Sequence, residues 1–184
     1  MIAIIGKAAA VVAAFFVLWL MRSTTPSYDE LTGPIPFGAA ADNIAVDAGK
    51  PLLAKTIRFK ATNKPIERST DGVWLIIPVR VRAAQESARL LGAAWQSQDG
   101  KRYASSLRVE DADVSLPGKG IQPGLERKSL LVFEVPEAAA RSGTLLLSEA
   151  AFPRLTAQLH IAYPELPFVV PSLSLDLDKI HGEH

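Results

Sequence analysis

The spacing of turn-forming residues constrains the fold of this 184-residue chain more than any other feature. Beyond about residue 41, short apolar and β-branched runs alternate with Gly, Pro, Asn and Asp at intervals of roughly 8–15 residues, which is typical of all-β sandwiches and barrels. Leu155–Tyr163 is the clearest run, because its apolar residues occupy alternate positions, as in a strand with one buried face. The sequence therefore predicts an all-β domain over residues 42–178.

The same pattern predicts a series of strands within this domain. They are expected at Ile44–Val46, Leu52–Phe59, Val73–Val81, Leu90–Gln98, Arg102–Val109, Ser129–Val135, Thr144–Leu147, Leu155–Tyr163 and Phe168–Leu177. Asp99-Gly100 is the strongest turn signal, since Asp-Gly readily supplies the backbone conformation of a two-residue hairpin turn. The strands on either side of it should pair antiparallel.

Three segments complicate this pattern. Val73–Val81 is apolar on both faces over its first half, but Pro78 cannot donate to a sheet, so we expect a bend there at a bulge or a sheet edge. Arg82–Ala94 contains strong helix formers, so a helix is the alternative, but the downstream hairpin requires extended chain and favours a loop or helical turn in its first half. Pro136–Ala140 is expected to form one short helical turn.

The first 21 residues contain almost no polar side chain apart from Lys7. Twenty helical residues span the ~30 Å hydrocarbon core of a bilayer, and Trp19 suits the far interface. A cleaved signal peptide is the alternative, but the run ends in bulky residues without the small residues that signal peptidase requires. Residues 1–22 are therefore predicted to be an uncleaved transmembrane signal-anchor helix in the cell membrane.

Flanking charges favour a cytoplasmic N-terminus and an extracytoplasmic domain, periplasmic or extracellular, with a cytosol-facing domain as the alternative. Residues 23–41 are rich in Ser, Thr, Pro and Gly and predict an extended stalk, while residues 179–184 predict a flexible tail. All 19 acidic residues and all but two of the 20 basic residues lie beyond Arg22, so the domain is nearly neutral and no nucleic acid is expected as a partner.

Three stretches resemble a known group of proteins: VWLIIPVRV at Val73–Val81, SQDGKRY at Ser97–Tyr103 and IQPGLERKSLLVFEVPEAA at Ile121–Ala139. Together they resemble the DUF4352-like bacterial envelope proteins. This resemblance implies an immunoglobulin-like antiparallel β-sandwich behind an N-terminal anchor or signal segment. Pro78 and the proline-punctuated run after Tyr163 depart from the usual pattern of the group. The shared motifs are structural, so the resemblance bears on the fold more than on the function.

The sequence lacks the residue patterns that would support catalysis. There is no cysteine, no nucleotide-binding glycine motif and no nucleophile elbow. His160 falls on the polar face of its predicted strand, and His181 and His184 lack the further ligands of a zinc site. We therefore predict that the protein is not an enzyme and binds no cofactor or metal.

The remaining features favour a non-catalytic accessory subunit that associates with and braces a membrane protein complex of the cell envelope. Ala9 and Ala13 lie on a small-residue face that would let the anchor helix approach another helix in the lipid bilayer. Phe168 and Val170 lie in the proline-punctuated run Pro164–Pro171, which predicts a sheet edge. They are expected either to cover the domain's own core or to contact the partner. The alternative function is a binding module for an envelope lipid, glycan or peptide.

Overall fold

The structure is a computed structural model that describes residues 15–16, 40–41, 43–61, 64–109, 111–112, 114–116, 119–149, 158–177 and 180. Its contacts divide the chain into two compact units, Met1–Thr32 and Gly33–His184. Phe15 and Phe16, both helical, are the described residues of the first unit. The rest of the predicted signal-anchor helix, most of the stalk and most of the tail lie outside the described residues. Within those residues, no helix has the length and apolar character needed to cross a membrane.

The second unit is built from β-strands, which confirms the all-β prediction. The described strands are β1 (Ala40–Ala41), β2 (Ile44–Ala48), β3 (Leu52–Ala61), β4 (Lys64–Ala83), β5 (Ala88–Arg89), β6 (Gly92–Ser97), β7 (Arg102–Ala104), β8 (Gly120–Ile121), β9 (Glu126–Val135), β10 (Gly143–Ser148), β11 (Gln158–Tyr163) and β12 (Val169–Ser174). Leu107–Val109 and Glu137–Ala140 form short 3-10 helices. Every predicted strand overlaps an observed one.

The strands form two main sheets. In the six-stranded sheet, the long strand β4 pairs with β2 and β3 on one side and with β9 on the other, while β1 pairs with β2 and β12 pairs with β3. The β3–β12 pairing is parallel and the others are antiparallel, so the expectation of a purely antiparallel sandwich is wrong for the last strand. The four-stranded sheet has the order β11-β10-β6-β7 and is antiparallel throughout. Strands β5 and β8 pair separately.

The main core joins the two sheets. Leu75 and Phe133 of the six-stranded sheet belong to the same buried cluster as Trp95 and Leu145 of the four-stranded sheet, and all four are fully excluded from solvent. The buried indole of Trp95 keeps its hydrogen bond, since its Nε1 donates to the Ala139 carbonyl at 2.9 Å. One contiguous apolar core therefore holds both sheets.

The opposite face of β4 carries a second buried cluster. Trp74 and Ile76 pack there with Leu130 of β9, and the chain segment after β7 covers them through Val109 and Ala112. The first half of Val73–Val81 is therefore buried on both faces, which explains why it does not alternate between apolar and polar residues.

The prediction of a bend at Pro78, at a bulge or a sheet edge, is wrong. The register between β4 and β9 continues unbroken through the pair Pro78 and Leu130, and the sheet irregularity lies instead between Ala54 and Thr56 of β3. The Pro78 carbonyl accepts a hydrogen bond from the Gly49 N–H at 2.8 Å, in the loop between β2 and β3. Because the N and C=O of a strand residue point the same way, the missing N–H faces the gap between those two strands. A central strand tolerates proline here because no ladder bond is lost.

The hairpin at Asp99-Gly100 is confirmed, but the two-residue turn is wrong, because Ser97 lies opposite Lys101 and the loop between them has three residues, Gln98, Asp99 and Gly100. Strands β6 and β7 pair antiparallel around it, the Ser97 N–H donates to the Lys101 carbonyl at 3.0 Å, and Gly100 has a φ of 81°. A positive φ of this kind is readily adopted by glycine, which explains its place in the turn. The short helical turn predicted at Pro136–Ala140 is also confirmed.

The helix formers in Arg82–Ala94 do not form a helix. The chain bends after β4 and continues into β5 and β6. The Asn43 side-chain oxygen accepts hydrogen bonds from the N–H groups of Gln85 and Glu86, at 2.8 and 3.1 Å. These bonds satisfy backbone donors that a helix would otherwise pair, so tertiary contacts override helix propensity.

Two strands differ most from their predicted bounds. The strand expected over Arg102–Val109 ends at Ala104, because the chain then leaves the sheet and buries Val109 over the second cluster. The polar stretch Lys64–Gly72 was not predicted as strand, yet it forms the first half of β4 and pairs with β3. Its pairing satisfies the backbone although few of its side chains are buried.

Candidate functional site at the edge strand

Strand β12 lies at one edge of the six-stranded sheet and pairs, among the described strands, with β3 alone. Pro164 and Pro167 precede it and Pro171 lies within it. Proline lacks the N–H that a central strand must donate, so an edge is where such a run is tolerated. The prediction that this run lies at a sheet edge is confirmed.

The side chains of this run divide into two sets. Leu166 and Val169 pack against the main core, whereas Phe168 is 96% exposed and Val170 is 40% exposed. Leu166 and Val169 therefore cover the core, and Phe168 and Val170 are the residues left accessible for contact. We call Phe168 and Val170 the edge patch.

The segment that contains the edge patch is fixed by backbone hydrogen bonds on both sides. Before it, the Leu166 N–H donates to the Arg141 carbonyl at 3.0 Å. After it, the Leu175 N–H donates to the Arg58 carbonyl at 2.7 Å, and the Leu175 side chain is buried in the second cluster. The edge patch is therefore presented from anchored backbone on both sides.

Ala9 and Ala13, the other residues predicted to contact a partner, lie outside the described residues. The edge patch is consequently the part of the predicted contact surface that the structure describes. The sequence contained one signal for it, the density of prolines, but no signal that separates Phe168 from Val169, because the facing of neighbouring residues depends on how the run leaves β11.

The second candidate region is polar and surrounds the β6–β7 hairpin. The Asp99 carboxylate lies 2.8 Å from the Lys101 ammonium and also accepts a hydrogen bond from the Ser97 hydroxyl. The bond from Lys101, followed by that from Ser97, lowers the pKa of Asp99 from 3.8 to about 2. Asp99 is therefore ionised at any physiological pH, and its charge is balanced by the neighbouring lysine.

Two adjoining pockets flank this hairpin. One, of about 360 Å³, lies between the hairpin and the 3-10 helix Glu137–Ala140. The other, of about 420 Å³, lies towards β10 and β11. Ser97, Gln98 and Ser142 line both. The sequence showed only a turn here, because the pockets form between residues about forty positions apart.

The histidine predicted to be a solvated surface residue is half-buried. His160 Nε2 lies 3.0 Å from the Gln158 side-chain oxygen on β11. In the described parts of the chain, no three His, Cys, Asp or Glu residues are grouped so that they could hold a metal ion. His181 and His184 lie outside those parts.

No protein-family model matches the chain, and no curated protein matches its sequence. Among solved structures, the chain is similar to the crystal structure of the yjhA protein from Bacillus subtilis. The two are 14% identical, the similarity covers 72% of this chain and 99% of that chain, and the TM-score is 0.50. At this identity the similarity bears on the fold alone.

Proposed function

We propose that this chain is a non-catalytic accessory subunit that associates with and braces a membrane protein complex of the cell envelope. Residues 1–22 anchor it in the bilayer with the N-terminus cytoplasmic, and the β domain lies outside the cytoplasm. The domain is an immunoglobulin-like β-sandwich of the DUF4352-like kind, antiparallel except where β12 pairs with β3. The core that its two sheets share supports a sandwich.

The exposure of Phe168 is the observation that carries the proposed function. A phenylalanine that is 96% exposed leaves an apolar ring in water, although Leu166 and Val169 of the same run pack against the core. Full burial of such a side chain against a partner contributes ~1.5–3 kcal/mol. Aromatic residues of this kind anchor many protein interfaces.

Pro171 determines how a partner engages this edge. A proline within β12, together with the exposed polar residues Ser172 and Ser174, makes the strand a poor template for an added strand. The partner therefore contacts the side chains of the edge patch and does not extend the sheet.

The decisive experiment purifies the full-length chain from its membrane in mild detergent and measures stoichiometric co-purification. Replacing both edge-patch residues (Phe168→Ser and Val170→Ser) should abolish partner binding without changing the melting temperature. Leu125→Ser is the matched control, because Leu125 is also a largely exposed apolar residue, at 64%, but lies in the turn before β9. Loss of fold stability in the double variant would instead make the edge patch part of the core covering. Unchanged stability with unchanged co-purification would overturn this docking site.

The proposed anchor has an independent test. The membrane-fraction protein should retain Met1–Arg22 in an intact-mass measurement and should resist extraction by alkaline carbonate. A new N-terminus between Ser23 and Ser27 would identify a cleaved signal peptide instead. Protease added outside the cytoplasmic membrane should reach the β domain, and complete protection in sealed spheroplasts would reverse the topology.

A second candidate function is a binding module for an envelope ligand. The observation that favours it is the pair of pockets at the β6–β7 hairpin, whose volumes of about 360 and 420 Å³ lie within the usual range for small-molecule sites. Accessory binding and ligand binding use different surfaces, so one chain can carry both.

A further inference from the structure

The polar groups of the hairpin pockets are fixed before any ligand arrives. The Gly100 N–H donates to the Ser97 carbonyl at 2.9 Å, and the Ser97 hydroxyl donates to Asp99 and lies 3.1 Å from the Lys101 carbonyl. The Lys101 ammonium holds the other carboxylate oxygen. Because these bonds already orient the hairpin tip, ligand binding there costs little conformational entropy of the protein.

The lining offers both hydrogen-bond donors and acceptors. Asp99 is an acceptor with lone pairs beyond those used by its two partners, Lys101 is a donor, and Gln98 is both. Ser142, whose hydroxyl is both a donor and an acceptor, lines both pockets. The charges of Asp99 and Lys101 cancel, so nothing in the lining selects a strongly ionic ligand.

One aromatic ring accompanies these polar groups. Tyr103 of β7 is half-buried and lines the pocket of about 360 Å³ beside Lys101. Its cross-strand neighbour is Trp95, which is fully buried and hydrogen-bonded to Ala139, so the tyrosine rests on fixed structure. The other apolar lining residues of this pocket are small ones, Pro136 and two alanines, and provide no deep channel for an acyl chain.

We infer that the two hairpin pockets form a binding site for a neutral saccharide. This inference rests on the second candidate function and names its ligand class. The apolar face of a sugar ring packs against Tyr103, while Gln98, Asp99 and Ser142 bond its hydroxyls, which need donors and acceptors together. Two adjoining pockets accommodate consecutive sugar units, so an oligosaccharide binds more tightly than a single sugar.

The test titrates the full-length chain, held in a detergent without a sugar headgroup, with chitotetraose and with maltotetraose. Nuclear magnetic resonance titration or calorimetry should detect saturable binding of at least one of them. Gln98→Ala and Tyr103→Leu should each weaken that binding about tenfold or more. Gln85→Ala is the matched control, since Gln85 is an exposed glutamine in the loop after β4, and it should bind as the unchanged chain does.

Gln98→Ala keeps the test valid if Tyr103→Leu lowers the melting temperature, because Gln98 lies at the hairpin tip. The inference is overturned if the folded chain binds neither oligosaccharide, or if binding survives both substitutions undiminished. Saturable binding of a short peptide in place of either sugar would also overturn it. None of these results bears on the proposed partner contact at the edge patch, because that proposal is tested by co-purification with the Phe168→Ser and Val170→Ser double variant.

Discussion

The two edges of the six-stranded sheet differ in how they are finished. The outer side of β9 is bonded by the segment that follows β7: the Ser106 N–H donates to the Val132 carbonyl, and the Leu130 N–H donates to the Val114 carbonyl, each at 2.8 Å. Across the sheet, no comparable segment among the described residues covers β12, which begins beside the exposed Phe168. One edge is covered by the chain itself, and at the other the described residues leave Phe168 in solvent.

Arg108 ties the covering segment down. Its Nη1 lies 2.8 Å from Glu134 of β9, its Nη2 donates to the Ser69 carbonyl at 3.1 Å, and its guanidinium carbon lies 5.1 Å from the ring centroid of Trp74. Glu134 also accepts a 2.6 Å bond from Thr70. These contacts link the segment to both β4 and β9, so the closed edge is part of the folded core.

No described segment covers the β12 edge, and the residues of the strand itself make aggregation there unfavourable. An unpaired strand is a template for aggregation, and natural sheets blunt such strands with proline or polar residues. Pro171 and the two serines of β12 serve that purpose. Strand addition is thus opposed at both edges by different means, a covering segment at β9 and proline and serine residues at β12. Exposed apolar side chains occur at both, Leu107 in the covering segment and the edge patch beside β12.

The sharpest test of this comparison uses one phenylalanine from each edge. Phe133→Ala on β9 should lower the free energy of unfolding by ~3–5 kcal/mol, because its ring is fully buried between the sheets. Phe168→Ala should change it by less than ~0.5 kcal/mol, as exposed substitutions usually do. Urea unfolding of the two variants measures both. Similar losses at the two positions would remove the distinction between the edges.

A smaller effect is expected at the residue that holds the covering segment. Arg108→Ala should lower the free energy of unfolding by ~1 kcal/mol, since the ion pair with Glu134 is partly exposed and the stacking on Trp74 adds a modest term. The exposed Arg89 of β5 supplies the control, and Arg89→Ala should have an effect below ~0.5 kcal/mol. Hydrogen exchange at Leu130 and Ser106 should accelerate in the Arg108 variant alone. Protection that persists there would mean that the segment is held by its apolar residues.

The smallest effect concerns acid. Arg82 donates to Glu126 at the start of β9, with Nη2 at 2.6 Å and Nε at 2.9 Å, and this bond lowers the pKa of Glu126 below its ordinary 4.5. A carboxyl with a lowered native pKa stabilises the fold above its unfolded-state pKa, and the contribution is lost as pH falls through the native value. Strand β12 contains no acidic residue.

Acidification should therefore loosen the β4–β9 pairing before the β3–β12 pairing. Amide exchange followed from neutral pH to below pH ~4 tests this order. In Glu126→Gln, the protection of β9 amides relative to their intrinsic exchange rates should lose most of its pH dependence. The protection of β12 amides should be unchanged. An unaltered pH profile in the variant would attribute the acid response to other carboxyl groups.

Local patterns predicted much of the architecture. The Asp99-Gly100 turn, the helical turn at Pro136 and the overlap of every predicted strand with an observed one follow from propensities and side-chain periodicity, which act over a few residues. The edge position of the run before Pro171 followed from a missing backbone donor. Features of this kind need no knowledge of what lies across the sheet.

Other features were missed because they depend on distant neighbours. Pro78 was expected to disturb β4, yet its missing N–H faces the interval between two other strands, and only the tertiary structure decides which way it points. The polar half of β4 was missed because β3 pairs with it although its side chains give no apolar signal. The hairpin pockets were missed because their walls come from separate strands.

The all-β domain, its principal turns and the proline-rich edge can be predicted from the sequence, because each follows from the conformational limits of single residues and their nearest neighbours. The packing of the sheets is needed to find which side chains of that edge are exposed and which edge the chain covers. Phe168 and Val169 are adjacent and similarly apolar, yet one lies in solvent and the other on the core. The physical reason is that burial belongs to the packing of whole sheets, and no residue's own chemistry specifies what will lie against it.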